Sequence, residues 1–278
     1  MLRFLLFSLF STGIILNANS QKRDKIKGNG TIATKHVEVE AFNALEISEN
    51  YTIKLMKGSH PSVSIDTDEN LLDCLKVGVN DGKLFIVSDK DIRSNSQLDV
   101  RIVFTDALKH IYINNGVQIK EFAVTDIPDL TLHSSDFSKA TIFIRATTFN
   151  YINEQRSKVN LTVEAQNINL KLKESSQLKG TLTGQNLTII LEQNATAELE
   201  GEVSNINATL NHHGNLNAKY LASAKASVTS DGMGKSTLNV TDTIQISASG
   251  KSTINLLAEP KINMVSFTGT ASLNKLVP

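Results

Sequence analysis

The sequence predicts an all-β fold, a parallel β-solenoid with coils of about 19 residues, preceded by an alternating β-strand region that joins or caps it. Three observations carry this expectation. Apolar pairs at i and i+2 occur at Ile111/Ile113, Leu130/Leu132, Phe149/Tyr151, Ile168/Leu170, Leu187/Ile189 and Ile206/Ala208, with first members 19 residues apart. The series continues through Ala224/Ala226, Ile244/Ile246 and Ile262/Met264 with steps of 18, 20 and 18. A second series runs half a repeat later at Val159, Leu178, Ala197 and Leu216, resuming at Leu238, Ile254 and Leu273. Between the pairs lie short turns such as "NNG", "SSD", "ESS", "EQN" and "HHG", built from residues that reverse a chain cheaply. A short strand cannot bury its apolar side alone, but identical strands stacked about 4.8 Å apart cover one another; nine coils would span roughly 40 Å.

Taken in order, residues 1–20 read as a secretory signal: Arg3, an apolar run from Phe4 to Leu16, and small residues Ala18 and Ser20 before the expected cleavage. The run is short for a bilayer span, which needs roughly 20 residues, so no membrane span is expected after cleavage. Residues 21–35 are polar and read as a flexible lead-in. From 36 to 106 period-two stretches such as "VEVEAF", "YTIKLMKG" and "KLFIVS" alternate with turns, and Asn80-Asp81-Gly82 marks a hairpin. "ENLLDCLKV" is the only segment able to form a short helical turn. Residues 107–278 form the repeats.

Composition narrows the function. The 28 basic and 28 acidic residues balance, which gives no electrostatic reason to expect nucleic acid. Aromatic residues make up 5% of the chain, few for base-stacking platforms or sugar clefts. Cys74, the single cysteine, cannot form an internal disulfide and lies among apolar neighbours, where a buried thiol is expected.

Gly-Lys-Ser-Thr occurs at Gly234–Thr237 and again at Gly250–Thr253, the ending of a phosphate-binding loop. The glycine such a loop needs five residues earlier is Thr229 in one copy and Gln245 in the other, and alternating "TLNV" and "TINLL" follow instead of a helix. The copies read as one repeat turn written twice in the same phase, and no nucleotide is expected. "DTDEN" at Asp66–Asn70 opens like a calcium loop, but Leu71 and Val77 replace the glycine and glutamate that loop requires. A weak calcium site near Asp66 and Asp68 is left open. The six histidines show no metal-ligand spacing, and no nucleophile motif stands out. No catalytic residue, metal or cofactor is expected. Outward residues beside the inward pairs, Thr148 and Asn150, Asn167 and Asn169, Asn186 and Thr188, then Asn205 and Asn207, form an uncharged candidate interaction face.

Phe42–Ser48 ("FNALEIS"), Tyr51–Gly58, Asp68–Asp73 ("DENLLD") and Asp81–Ile86 ("DGKLFI") match the strand-and-turn signatures of a known family. Over residues 36–275 the chain resembles the head GIN domain of putative auto-transporter adhesins, departing from it at "SENYT", where many members carry a Gly-rich turn. The resemblance implies an all-β, solenoid-like exported protein of bacteria related to Bacteroidetes, located in the periplasm, at the envelope surface or outside the cell. It carries no catalytic residues to transfer. With no translocator barrel before Pro278, a complete autotransporter is not expected. The expected function is a non-enzymatic, adhesin-like or envelope-scaffold role toward a protein or glycan surface, with homo-oligomers allowed. A carbohydrate-binding or carbohydrate-active β-helix is the alternative.

Overall fold

A computed structural model describes residues 23–276, so the expected signal segment lies outside the described residues. Its first strands are β1 (Lys25–Lys27), β2 (Ile32–Glu38), β3 (Ala44–Ile47), β4 (Thr52–Lys57) and β5 (Ser62–Asp68). A 3-10 turn at Glu69–Cys74 follows, where the sequence allows a helical turn, and buries Leu71 and Cys74. Then come β6 (Leu75–Asn80), β7 (Lys83–Ser88), β8 (Asp91–Ser94), β9 (Leu98–Phe104) and β10 (His110–Ile113). Seven long strands succeed them: β11 (Gln118–Ser134), β12 (Lys139–Asn153), β13 (Lys158–Leu172), β14 (Gln177–Leu191), β15 (Thr196–Leu210), β16 (Asn215–Ser230) and β17 (Lys235–Ala248). The chain closes with β18 (Thr253–Leu256), β19 (Lys261–Phe267) and β20 (Ser272–Lys275). Residues 25–35, expected to be a loose lead-in, instead hold β1, which pairs with β8, and the start of β2, which pairs with β5.

The coils stack in parallel as a β-solenoid of about nine turns, about 19 residues each. In β12 to β15 the inward–outward alternation changes phase once within each strand, so each serves two faces. In β13 the first half buries Val159, Leu161 and Val163, and the second half buries Ile168, Leu170 and Leu172. We call these face A and face B. From β12 to β15 the register is one-to-one at 19 residues, so Val159, Leu178 and Ala197 stack in one row, and Phe149, Ile168, Leu187 and Ile206 in another. One continuous core runs from Phe42 to Leu256.

The N-terminal strands both join and cap this stack. In space, β3 and β4 lie between β7 and β9 on one side and β10 and β11 on the other, all parallel, so the second coil of the stack is the first in sequence. Strands β5 and β6 then pair antiparallel with β9 and β7. At the other end β19 carries Ile262 and Met264 in register with Ile244 and Ile246, yet both are 45% exposed, since among the described residues no further strand pairs with β19.

Outside β12–β15 the period is not constant, and three expected alignments change. Ile111 stacks on Leu132, not Leu130, because two register shifts lengthen β11 to give a step of 21. The inward pair of β16 is Ala226/Val228, not Ala224/Ala226; Ala224 is exposed. Ser236, fully buried, and not Leu238, continues the row of Leu216 and Ile254. The two Gly-Lys-Ser-Thr copies are therefore not in phase. Thr253 stacks on Lys235, an offset of two residues, because the motifs are 16 residues apart and the local coil is 18.

The turns explain how coils are locked together. Asn115, Asp136, Gln155, Glu174, Gln193 and His212 all have positive φ between 49° and 62°, and Gly232, Gly250 and Gly269 continue the column at 68° to 74°. A left-handed residue tips its carbonyl along the solenoid axis. The amide of Ser175 donates to Gln155 O (3.0 Å), Asn194 to Glu174 O (2.8 Å), His213 to Gln193 O (2.8 Å) and Lys251 to Gly232 O (2.6 Å). The turn thus extends the β-ladder around the corner.

Candidate binding surfaces

Two outward surfaces follow from this register. On face B, the eight residues singled out by sequence fall into two adjacent rows. Thr148, Asn167, Asn186 and Asn205 stack in one; Asn150, Asn169, Thr188 and Asn207 in the other. Much of their amide chemistry is directed along the ladder. Asn186 Nδ2 donates to Asn167 Oδ1 (3.0 Å), Asn205 Nδ2 to Asn186 Oδ1 (3.1 Å) and Asn169 Nδ2 to Asn150 Oδ1 (2.9 Å). Each such amide keeps a second N–H for solvent or a partner. The neutral row is bounded by charge at both ends, Asp129 beneath Thr148 and Lys225 above Asn205.

Face A carries a groove of about 700 Å³ across six coils, from Gln118 to Asn215. That volume falls within the usual range for ligand sites, roughly 300–1,000 Å³. Its walls are two outward rows: Gln118, Lys139, Lys158, Gln177, Thr196 and Asn215, and beside them Thr141, Asn160, Lys179, Glu198 and Asn217. Ala140, Val159, Leu178 and Ala197 line its floor. A smaller hollow of about 270 Å³ adjoins it and is bordered by Tyr220, which is 66% exposed with the Lys219 ammonium 4.3 Å from its ring centre. Nothing in the outward Asn/Thr pattern pointed to this groove. The available signal was the 19-residue spacing of Lys139 and Lys158, which places two ammonium groups in one row.

The other residues considered for chemistry have structural partners. Asp68 is buried, and its carboxylate accepts the amides of Gly30 (2.6 Å) and Ser96 (2.7 Å) and the Ser96 hydroxyl (3.0 Å). The Ser96 amide, ahead of that of Gly30, holds its pKa below the usual carboxylate range. Asp66 accepts from Thr34 (2.7 Å). Asp68 therefore fastens the N-terminal segment to the loop before β9. His212 occupies the left-handed turn column. Cys74 is a buried free thiol whose Sγ lies 3.0 Å from Leu71 O. At the turn beside β12, Glu154 joins Lys173 (2.6 Å) and His133 (3.1 Å), and the Lys173 hydrogen bond lowers its pKa.

Comparison with known proteins agrees with this architecture. A solved putative adhesin from Parabacteroides merdae ATCC 43184 superposes with a TM-score of 0.62 at 15% identity, over 91% of this chain and 99% of that one. A putative lipid binding protein from Parabacteroides distasonis ATCC 8503 gives 0.64 at 18% identity, over 91% and 100%. A putative adhesin from the same organism gives 0.60 at 15%, over 91% and 100%. At these identities the likeness establishes the fold. No curated protein matches the chain. The family model described as "Putative auto-transporter adhesin, head GIN domain" matches residues 41–260. The chain, with its capped stack of 19-residue coils, therefore belongs to the head GIN domain family of putative auto-transporter adhesins.

Proposed function

We propose that this protein is an exported, adhesin-like component of the cell envelope or its exterior that works by binding through its outward faces, without turnover. The observation that carries the reading is register. Between β12 and β15 every paired outward position repeats in register on each coil, so both faces present straight rows of side chains suited to an extended partner. Family membership supports the adhesin-like role. The two Asn/Thr rows of face B, uncharged from Thr148 to Asn207 and flanked by Asp129, Lys171 and Lys225, are the surface suited to packing against a neighbour, whether another copy or an envelope protein. The groove on face A favours the second reading, carbohydrate binding, as the way such an adhesin engages its target.

Adherence of the purified protein to bacterial envelopes and animal cells, run beside a reducing-sugar release assay, tests the reading. Retention without release of sugar supports it, and turnover of a glycan overturns it. The double change N169K/N207K places like charges on face B without touching the core. It is expected to leave the circular dichroism spectrum intact and to abolish self-association measured by sedimentation. Unchanged association would reduce the Asn/Thr rows to solvated surface.

A further inference from the structure

We infer that the groove on face A is the binding site for an acidic polysaccharide lying along the solenoid axis. This deepens the adhesin-like reading and rests on it. The central observation is an anomaly in charge placement. Lys54 lies opposite Arg101 and Asp66 opposite Asp99 among the N-terminal strands, but the ion pairs between the long-strand coils are opposite in sign: Arg145 with Glu164 (2.7 Å), Lys179 with Glu198 (2.9 Å) and Lys173 with Glu154 (2.6 Å). In the ladders joining β11 to β17, Lys139 over Lys158 is the single in-register pair of like charge among the described residues. Neither ammonium has an ion-pair partner among the described residues. Like charges stacked at strand spacing, about 4.8 Å, destabilise a sheet. The fold places this unfavourable pair inside the groove of about 700 Å³, where an anion would relieve it.

The rest of the lining specifies which kind of anion. Five coil steps at about 4.8 Å give a channel of roughly 24 Å, long enough for several units of a linear polymer. Gln177, Thr196 and Asn215 continue the lysine row, so hydroxyl and amide groups recur on the same line as the charges. A polymer bearing both carboxylates and hydroxyls at regular intervals meets both. An extended acidic peptide would seek a free strand edge. Here the floor strands β12–β15 are paired on both sides, leaving no main-chain groups to join. Single-stranded nucleic acid would need a series of stacking rings, and Tyr220 is the one ring bordering the groove and its adjoining hollow. Charge in place of ring stacking also accommodates the low aromatic content, which argues against neutral sugars.

The experiment immobilises the purified protein and titrates it with polygalacturonate, chondroitin sulfate, dextran, poly-glutamate and single-stranded DNA. Polygalacturonate carries carboxylates alone and chondroitin sulfate adds sulfates, so their ranking separates uronate-rich from sulfated sources. Binding of at least one acidic glycan, weakened by salt and absent for dextran, is expected. K139Q/K158Q should weaken it at least about tenfold, whereas K171Q/K225Q, an equal charge change on face B, should stay within about twofold. Retained circular dichroism in both variants ties the loss to the groove. The inference is overturned if no acidic glycan binds, if poly-glutamate or DNA binds as tightly, or if both double variants lose binding equally. Cell adherence that survives K139Q/K158Q would sink the groove while leaving the adhesin-like reading in place. Glycan binding by a protein that adheres to no cell or envelope would do the reverse.

Discussion

Replacing Glu174 by glycine should stabilise the protein, and replacing Gly250 by alanine should destabilise it, although both residues occupy the same turn column. Glu174 sits at φ 59° and Gly250 at φ 68°. For an L-residue this conformation costs about 1–2 kcal/mol, whereas glycine adopts it freely at an entropic cost of about 0.5–1 kcal/mol. E174G should therefore gain about 0.5–1 kcal/mol. Gly250 faces a further obstacle, since a Cβ there would lie 2.6 Å from Gly232 O, the acceptor of the Lys251 amide. The same net backbone difference of about 0.5–1 kcal/mol combined with that overpacking, at about 1–3 kcal/mol, puts G250A about 1.5–4 kcal/mol below the parent. Urea unfolding midpoints measure both changes. Hydrogen exchange at the Asn194 amide, which donates to Glu174 O, and at Lys251 reports them locally. A lower midpoint for E174G would refute the reasoning, because it would mean the Glu174 side chain stabilises its turn by more than its backbone strains it.

Two further predictions concern titration. Burial raises the phenols of Tyr51 and Tyr151 above the ordinary tyrosine range; the Tyr151 hydroxyl hydrogen-bonds Ser134 Oγ at 2.8 Å, which opposes the rise. Both stay protonated in the folded state while the unfolded chain ionises near pH 10. Stability is therefore full below that pH and falls above it, and absorbance at alkaline pH should show these two of the four tyrosines ionising only with unfolding. The Asp68 carboxylate runs the other way: its lowered pKa gives stability that is present above about pH 4 and lost as pH falls through the folded value. Exchange at the Gly30 and Ser96 amides should stay protected at pH 5, and D68A should raise it at least about tenfold at pH 7. Unchanged exchange in D68A would remove Asp68 as the fastener of the N-terminal strands.

How much of this was legible depended on whether the chain kept count. From β12 to β15 each paired strand residue lies opposite the one 19 away on the next coil, so rows such as Val159, Leu178 and Ala197 can be read directly from spacing. Where β11 bulges, or where one residue is added between Asn217 and Tyr220, the next row is displaced and spacing alone misleads. Small residues remove the correcting signal. Alanine is tolerated inward at Ala226 and outward at Ala224, and Ser236 occupies a row otherwise filled by Leu216 and Ile254. Alternation in residues 36–106 identified strands but not their order in space, because the slot of β3 and β4 between later strands is a long-range property. The Asn/Thr rows were visible because their composition is unusual. Lys139 and Lys158 read singly as ordinary solvated residues; their meaning arises only from which side chain lies one coil away.

The repeated Gly-Lys-Ser-Thr shows the same dependence on register. In the first copy Lys235 opens β17 on face A and stacks under Thr253. In the second copy Gly250 itself takes the left-handed turn position, and Lys251 follows it with its amide bound to Gly232 O. Identical letters thus occupy different backbone conformations two residues out of step. A phosphate loop requires one defined backbone shape that leads into a helix. Both copies lead into strands, β17 and β18, and their shapes differ, so the recurrence follows from two independent solutions to closing a short coil. The side-chain rows of this chain are consequently written across coils, between residues about 19 apart, and a motif contiguous in sequence does not reveal them.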